Sequence, residues 1–239
     1  MIIEILKNIF LSNKYKRLEF NTSRSNELCY IFYPEESTEK EEYFVLLQSL
    51  NQSNDEMKLI LEEKAQLLFE EIIGSDKVER FFEKNCTLII CQNDNDIDRL
   101  TALRIEEDLY NFKKNVIAYT DSELEDLVKY LEVRNINKLS NRILNDIINE
   151  HDGESFVSFK NSSVNASNYY SLIVKLFLKL PFLTYSIERK DLIDLNGEIE
   201  NKLTQHQKDV FKKLISSEFE WTDNNIHDLV VVTWGKQGD

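Results

Sequence analysis

Proline and glycine are scarce in this chain, with two and five among 239 residues. Together they make up about 3%, against roughly 12% in average usage. That shortage excludes collagen-like and Pro- or Gly-rich linker architectures, and it leaves no material for a glycine-rich phosphate loop. Three cysteines, Cys29, Cys86 and Cys91, cannot all pair within one chain. Cys86 and Cys91 stand five apart in an apolar run that reads as a strand, so their side chains are expected on opposite faces. Buried thiols in a reducing cytosol fit this usage better than a disulfide or a metal pair. Long apolar runs are also missing. The stretch from Tyr169 to Ile187 is interrupted by Lys175, Lys179 and Pro181, and Glu4 and Lys7 break the N-terminal one. Neither reads as a spanning helix or a signal core.

What is present is a folding composition, 42% hydrophobic and 30% charged, in a length that suits one large or two small domains. The formal charge of −14 is spread, with −8 on residues 1–120 and −6 on 121–239. No half is a basic lobe, which argues against a bulk nucleic-acid grip, although Lys14, Lys16 and Arg17 form a local basic patch. Asn and Ile number 23 each and Lys outnumbers Arg 21 to 8, a usage that points to an AT-rich bacterial genome.

Cys29–Tyr33 and Tyr43–Leu47 are apolar-aromatic runs rich in strand formers, joined by the acidic connection Pro34–Glu42. From Asp55 to Ile73 the residues Met57, Leu61, Ala65, Leu68 and Ile72 recur at spacings of three and four. That predicts an amphipathic helix capped by Asn54 or Asp55 and ending at Gly74. Cys86–Cys91 reads as a strand buried on both faces, and Val116–Tyr119 as another. The N-terminus reads as a short strand or a helix start. Ser122 and Glu125 have capping-box spacing. Helices are expected over Glu123–Leu131, Lys138–Ile148, Asn168–Leu180 and Lys202–Ile215, and Leu229–Trp234 reads as a closing strand. The whole predicts an α+β protein: a β-rich lobe with one long helix over residues 1–120, and a mainly helical lobe over 121–239, packed as one unit.

Assembled chemistry is hard to find. His151, His206 and His227 lie far apart without an HxxxH or HxH partner, so they do not advertise zinc. No G-x-S-x-G elbow appears. The densest carboxylate cluster, Glu106-Glu107-Asp108, has Lys113 and Lys114 downstream and could serve a magnesium-dependent nuclease or phosphodiesterase. Adjacent residues point in different directions, however, and a charged turn or a helix start explains the same acids. Tyr169, Tyr170 and Phe177 lie in a segment apolar nearly all round, a buried helix before it is a docking surface. No catalytic, cofactor-binding or metal-ligating residue is assigned.

The stretch Ile105-Glu-Glu-Asp-Leu-Tyr-Asn-Phe-Lys-Lys-Asn-Val-Ile-Ala-Tyr-Thr120, preceded by Asn85-Cys-Thr-Leu-Ile-Ile-Cys-Gln92, is distinctive. It resembles the middle component of bacterial ABC three-component defence systems, a group that includes the Lamassu-type anti-phage systems. The matching positions are Asn85, Ile105, Glu106, Glu107, Asp108, Tyr110, Phe112, Lys113, Lys114, Val116 and Tyr119. The resemblance implies a cytoplasmic, non-catalytic accessory subunit without a cofactor. Its partners would be an ATPase resembling structural-maintenance-of-chromosomes proteins and an effector, often a nuclease, held in check until foreign DNA is sensed. DNA would be met only through the complex, and no membrane is involved. Glu106, Glu107, Asp108, Tyr110, Phe112, Lys113, Lys114 and Tyr119 are then the candidate partner-interface or motif residues. Read physically, this motif can build a corner in which carboxylates take backbone N–H groups while Phe112 anchors the turn in the core.

Overall fold

The computed structural model describes residues 1–22, 26–38, 40–161, 168–186, 202–215 and 221–234. Five strands, β1 (Tyr15–Leu18), β2 (Glu27–Pro34), β3 (Tyr43–Ser49), β4 (Cys86–Asn93) and β5 (Lys113–Tyr119), form one mixed sheet in sequential order. The first three pair antiparallel, with Ile31 opposite Val45, and the last three run parallel, with Ile90 beside Val116. The parallel pairs need helical crossovers, and these come from the two helical segments between β3, β4 and β5. With many helices around this sheet, the protein is α+β.

Alternation along the buried strands feeds two cores. One holds Phe32, Phe44, Leu46, Ile89, Cys91 and Ile117. The other holds Ile31, Val45, Leu47, Cys86, Leu88 and Ile90. Cys86 and Cys91 thus face opposite sides of the sheet, and all three cysteines are buried and outside any disulfide. The first core is covered by α1 (Ile2–Ser12), α5 (Asp121–Val133), α6 (Asn141–Ile148) and α8 (Tyr169–Lys179), so residues on both sides of position 120 share it. The N-terminal helix α1 buries Ile2, Ile3, Leu6, Ile9 and Phe10, the stripe of an amphipathic helix. Phe10 stacks on Phe32 with ring centroids 4.6 Å apart. A short α7 (Glu154–Asn161) touches α8 through Phe159 and Tyr170.

The second core lies under α2 (Asn54–Leu59), a π-helical turn (Ile60–Lys64), α3 (Ala65–Ile73) and α4 (Arg99–Glu107). The long helix expected between Asp55 and Ile73 is present but not uniform. Its cap is Ser53, whose Oγ accepts the N–H of Glu56, and it ends at Gly74. The π turn adds one residue, so Ile60 and Ala65 both enter the core while Leu61 is only partly buried. A uniform α period could not do this.

Three sequence expectations are corrected. The capping box at the start of α5 is formed by Thr120 and Glu123, not by Ser122 and Glu125. Thr120 occupies the N-cap position because it follows β5 directly, and its hydroxyl accepts the N–H of Glu123. The acidic triplet closes α4 instead of opening a helix. Finally, Leu229–Trp234 is no closing strand: it belongs to α10 (Asp223–Trp234). Thr222 accepts the N–H of Asn225 on its hydroxyl and that of Ile226 on its carbonyl. Such local capping outweighs the modest strand preference of the valines.

The chain divides into two units, Met1–Ile187 and Glu188–Asp239. The second contains α9 (Gln205–Ile215) and α10 among its described residues. Thr204 and Gln207 cap α9 reciprocally, hydroxyl to N–H and N–H to amide oxygen.

Candidate partner-interface loop

Ile105 fixes the last turn of α4 in the second core. Beyond it the chain must reverse into β5 within the five residues 108–112, and the side chains of this motif build that corner. Glu106 turns its carboxylate onto the sheet edge, where Oε1 accepts the N–H of Val116 at 2.8 Å and Nζ of Lys179 at 2.5 Å. Acids at a helix C-terminus meet the unfavourable end of the macrodipole. For Glu106 the Lys179 ammonium, which α8 supplies, offsets that cost.

Asp108 accepts the N–H of Tyr110 on Oδ1 and Nζ of Lys114 on Oδ2, the latter at 2.6 Å. Lys114 is 2% exposed, which is unusual for a lysine. Its ammonium lies within 2.6 Å of the Tyr110 carbonyl and 3.3 and 3.4 Å from those of Asp108 and Phe112. Three N–H donors thus sit among four acceptors, all contributed by the loop it closes. The N–H of Phe112 donates to the Tyr110 carbonyl at 2.8 Å, a turn centred on Asn111 at φ 65°. Asn is among the few residues that adopt this left-handed conformation readily. Phe112 plugs into the core edge-on to Phe69, with ring centroids 5.1 Å apart, and near Phe82.

The outcome is a braced loop with an apolar tip. Leu109 is 85% exposed and Tyr110 80%, while the residues that hold the loop are inside. Glu107 and Lys113 flank the tip on the surface. The motif therefore separates into two sets. Glu106, Asp108, Phe112 and Lys114 hold the corner together, whereas Glu107, Tyr110 and Lys113 face outward. Tyr119 belongs to neither: it is buried at the end of β5, where its hydroxyl accepts from Gln48 at 3.1 Å and Gln52 at 3.3 Å. Burial raises the Tyr119 pKa, and those hydrogen bonds only partly counter it. Leu109 was not singled out by sequence reasoning. The only signal for it was an apolar pair, Leu109-Tyr110, set between charges.

The three carboxylates of the triplet do not converge. Glu106 is taken by Lys179, Asp108 by Lys114, and Glu107 points to solvent. Among the described residues, no group of three or more His, Cys, Asp or Glu side chains is placed to hold a metal ion. Burial pushes the thiols of Cys86 and Cys91 well up, away from the thiolate a nucleophile needs.

The family described as ABC-three component (ABC-3C) system Middle Component 1 matches residues 31–152. The chain belongs to this family. The matched segment begins within β2 and takes in β3 to β5 and α2 to α6, so the whole corner between α4 and β5 lies inside it. The chain is thus a middle component of a multi-subunit system, and that implies partner proteins. No curated protein and no solved structure matches the chain. Among the described residues no helix is long and apolar enough to cross a membrane.

Proposed function

We propose that this protein is a non-catalytic subunit of a Lamassu-type anti-phage complex in the bacterial cytoplasm, and that the loop at Leu109 and Tyr110 is a contact point for a partner subunit. It bridges an ATPase resembling structural-maintenance-of-chromosomes proteins and an effector nuclease, and helps to hold the effector inactive until the ATPase meets foreign DNA. The observation that carries this reading is the adjacent exposed pair Leu109 and Tyr110 on a loop locked by buried Lys114. A loop already fixed in one conformation gives up little entropy on binding, and a tyrosine beside an aliphatic residue is the kind of anchor that dominates interfaces. Glu107 and Lys113 supply a charged rim of both signs.

The test is co-expression with the neighbouring genes of the same system, followed by purification through this chain and mass measurement of what accompanies it. A large coiled-coil ATPase, with or without a nuclease, is expected. The double variant Leu109→Ser/Tyr110→Ser should leave the melting temperature within about 2 °C, because exposed substitutions change stability by only about 0.5 kcal/mol. It should also lose at least one partner. Retention of every partner by the folded double variant removes the loop from the interface, and a chain that always purifies alone defeats the subunit reading itself.

A further inference from the structure

Two helical segments cover the second core on the same face of the sheet. One is the α2–α3 segment, from Asn54 to Ile73, and the other is α4. Each returns from the C-terminal end of one parallel strand to the start of the next, so both run in the same direction. Their beginnings are joined. Asn54 donates its amide N–H to the Asp98 carboxylate at 2.8 Å and accepts the N–H of Asp98 at 3.1 Å. Past the end of α4, Phe112 packs on Phe69 of α3. The two segments therefore lie side by side, and their outer surfaces form one face.

On α4 the outer surface inverts the usual amphipathic pattern. The helix buries Thr101 and Ile105, while Leu100 and Leu103 are 59% and 43% exposed. A solitary exposed leucine needs no explanation, but these two are neighbours at a spacing of three. Arg99 and Arg104 flank them, both exposed. The α2–α3 segment exposes Leu59 and Leu67 at 43% each, among the exposed acids Glu62, Glu63 and Glu70. Among the described residues no ion pair engages these acids or the two arginines. Other charges near the face are few. Asp55 and Lys58 pair with each other at 3.0 Å, Glu107 stands at the end of the α4 strip, and Asp94 and Asp96 precede that helix.

We infer that this face is the contact between two copies of the chain. A two-fold axis running between the two segments, along their length, lays the acidic strip of each copy on the basic strip of the other. The exposed leucines of the two strips then meet, and Glu62 and Glu63 face Arg99 and Arg104 across the contact. An axis running across the segments would instead set acid on acid and base on base. Charge also selects the occupant. An acidic partner is repelled by the glutamates and a basic one by the arginines, whereas a second copy carries both strips in the required order. The net charge of −14 opposes self-association at longer range, so the dimer depends on this local pairing. Two short helical strips make a small contact, and the dimer is expected to be reversible and micromolar, not obligate. The inference is separate from the Leu109–Tyr110 loop.

Sedimentation velocity of the full chain between about 1 and 100 µM measures the association, and a reversible monomer–dimer equilibrium is expected. Arg99→Glu/Arg104→Glu and Glu62→Lys/Glu63→Lys, all at exposed positions, should each keep the melting temperature and weaken the dimer at least about tenfold. The second variant lowers the net charge, so general repulsion does not account for its loss of the dimer. Mixed in equal amounts, the two variants should dimerise again, because each of the two contacts then pairs an acidic strip with a basic one. Leu67→Ser/Leu103→Ser should also weaken the dimer, and it stands in for any reversal that fails to fold. A chain that stays monomeric to about 100 µM leaves these strips to another protein and overturns the inference. A dimer indifferent to every folded variant, or folded reversals that do not combine, would overturn it as well.

Discussion

Lys114 shows how far one side chain can depart from its usual place when the fold supplies enough acceptors. A buried ammonium left unpaired costs several kcal/mol, so it is tolerated only where it is fully engaged. Here the Asp108 carboxylate and the Tyr110 carbonyl lie at 2.6 Å. Lys114→Met keeps the length and removes the donors, which leaves Asp108 and the loop carbonyls without their partner. It is expected to cost about 3 kcal/mol in chemical denaturation, the scale of breaking a buried pair from one side. The cost should come with faster amide exchange across residues 108–112. Phe112 acts in the same corner by packing alone. At 1% exposure and with Phe69 and Phe82 against it, Phe112→Ala should destabilise the fold by about 3–5 kcal/mol. A near-unchanged denaturation midpoint would show that the corner does not depend on that ring.

Among the elements, the helix over α2, the π turn and α3 illustrates where periodicity misleads. Met57, Ala65, Leu68 and Ile72 are core residues, as their spacing predicts, but Ile60 takes the place that Leu61 holds in a uniform helix. The extra residue also sets Lys64 beside Glu27 and Glu56, and Ser49 donates to the same Glu56 carboxylate. Deleting Glu62, which is exposed, would turn the segment into a regular helix without rotating its halves, because the π turn already absorbs one residue, and Ile60 and Ala65 would then share a face at a spacing of four. An alanine inserted after Glu62 has no such turn to absorb it and would rotate one half by about 100° against the other, taking either Met57 and Ile60 or Ala65 and Leu68 off the core. The insertion is therefore expected to lower stability by more than about 2 kcal/mol, roughly the cost of withdrawing one large apolar side chain, while the deletion keeps the core. Glu62→Ala should stay within about 0.5 kcal/mol. Equal melting temperatures for the insertion and Glu62→Ala would mean the phase of this helix has no packing role. Between α5 and α8 the same economy recurs: Glu123 closes the capping box, accepts the Ser171 hydroxyl and pairs with Lys175.

At the scale of the whole molecule, the ion pairs set how the fold answers pH. For Glu56 burial alone would raise the pKa, but hydrogen bonds from Lys64 and Ser49 outweigh it and the net direction is down. For Lys64 burial lowers the pKa, while the hydrogen bonds it donates to Glu56 and Glu27 raise it overall. A depressed carboxylate contributes stability above its ordinary titration range and loses it as pH falls through the folded value. A raised ammonium contributes below its ordinary range and loses that share as pH climbs through the folded value. Glu56→Gln should therefore flatten the acid side of the stability profile relative to the parent chain. Denaturation midpoints between pH 3 and pH 7 measure this, and parallel profiles would remove Glu56 from the account.

Much of the architecture was legible before any coordinates. β2, β3, β4 and β5 coincide with apolar runs, and α8 and α9 with the periodic segments around them, because burial of both faces and one-sided amphipathicity leave direct marks on a sequence. The stretch from Ile105 to Tyr119 was legible as a family signature, and the match over residues 31–152 places the chain among ABC three-component middle components. The roles within that signature were not legible. A sequence shows that Glu106, Asp108 and Lys114 are charged and close together, but not that Lys179, 73 positions from Glu106, arrives to neutralise it. Nor does it show that Lys114 turns inward while Lys113, its neighbour, stays outside. Local propensity and spacing thus determined which segments form strands and helices. Only the tertiary structure decided which charges hold the corner and which residues it presents, because those assignments depend on contacts between distant segments that no local pattern records.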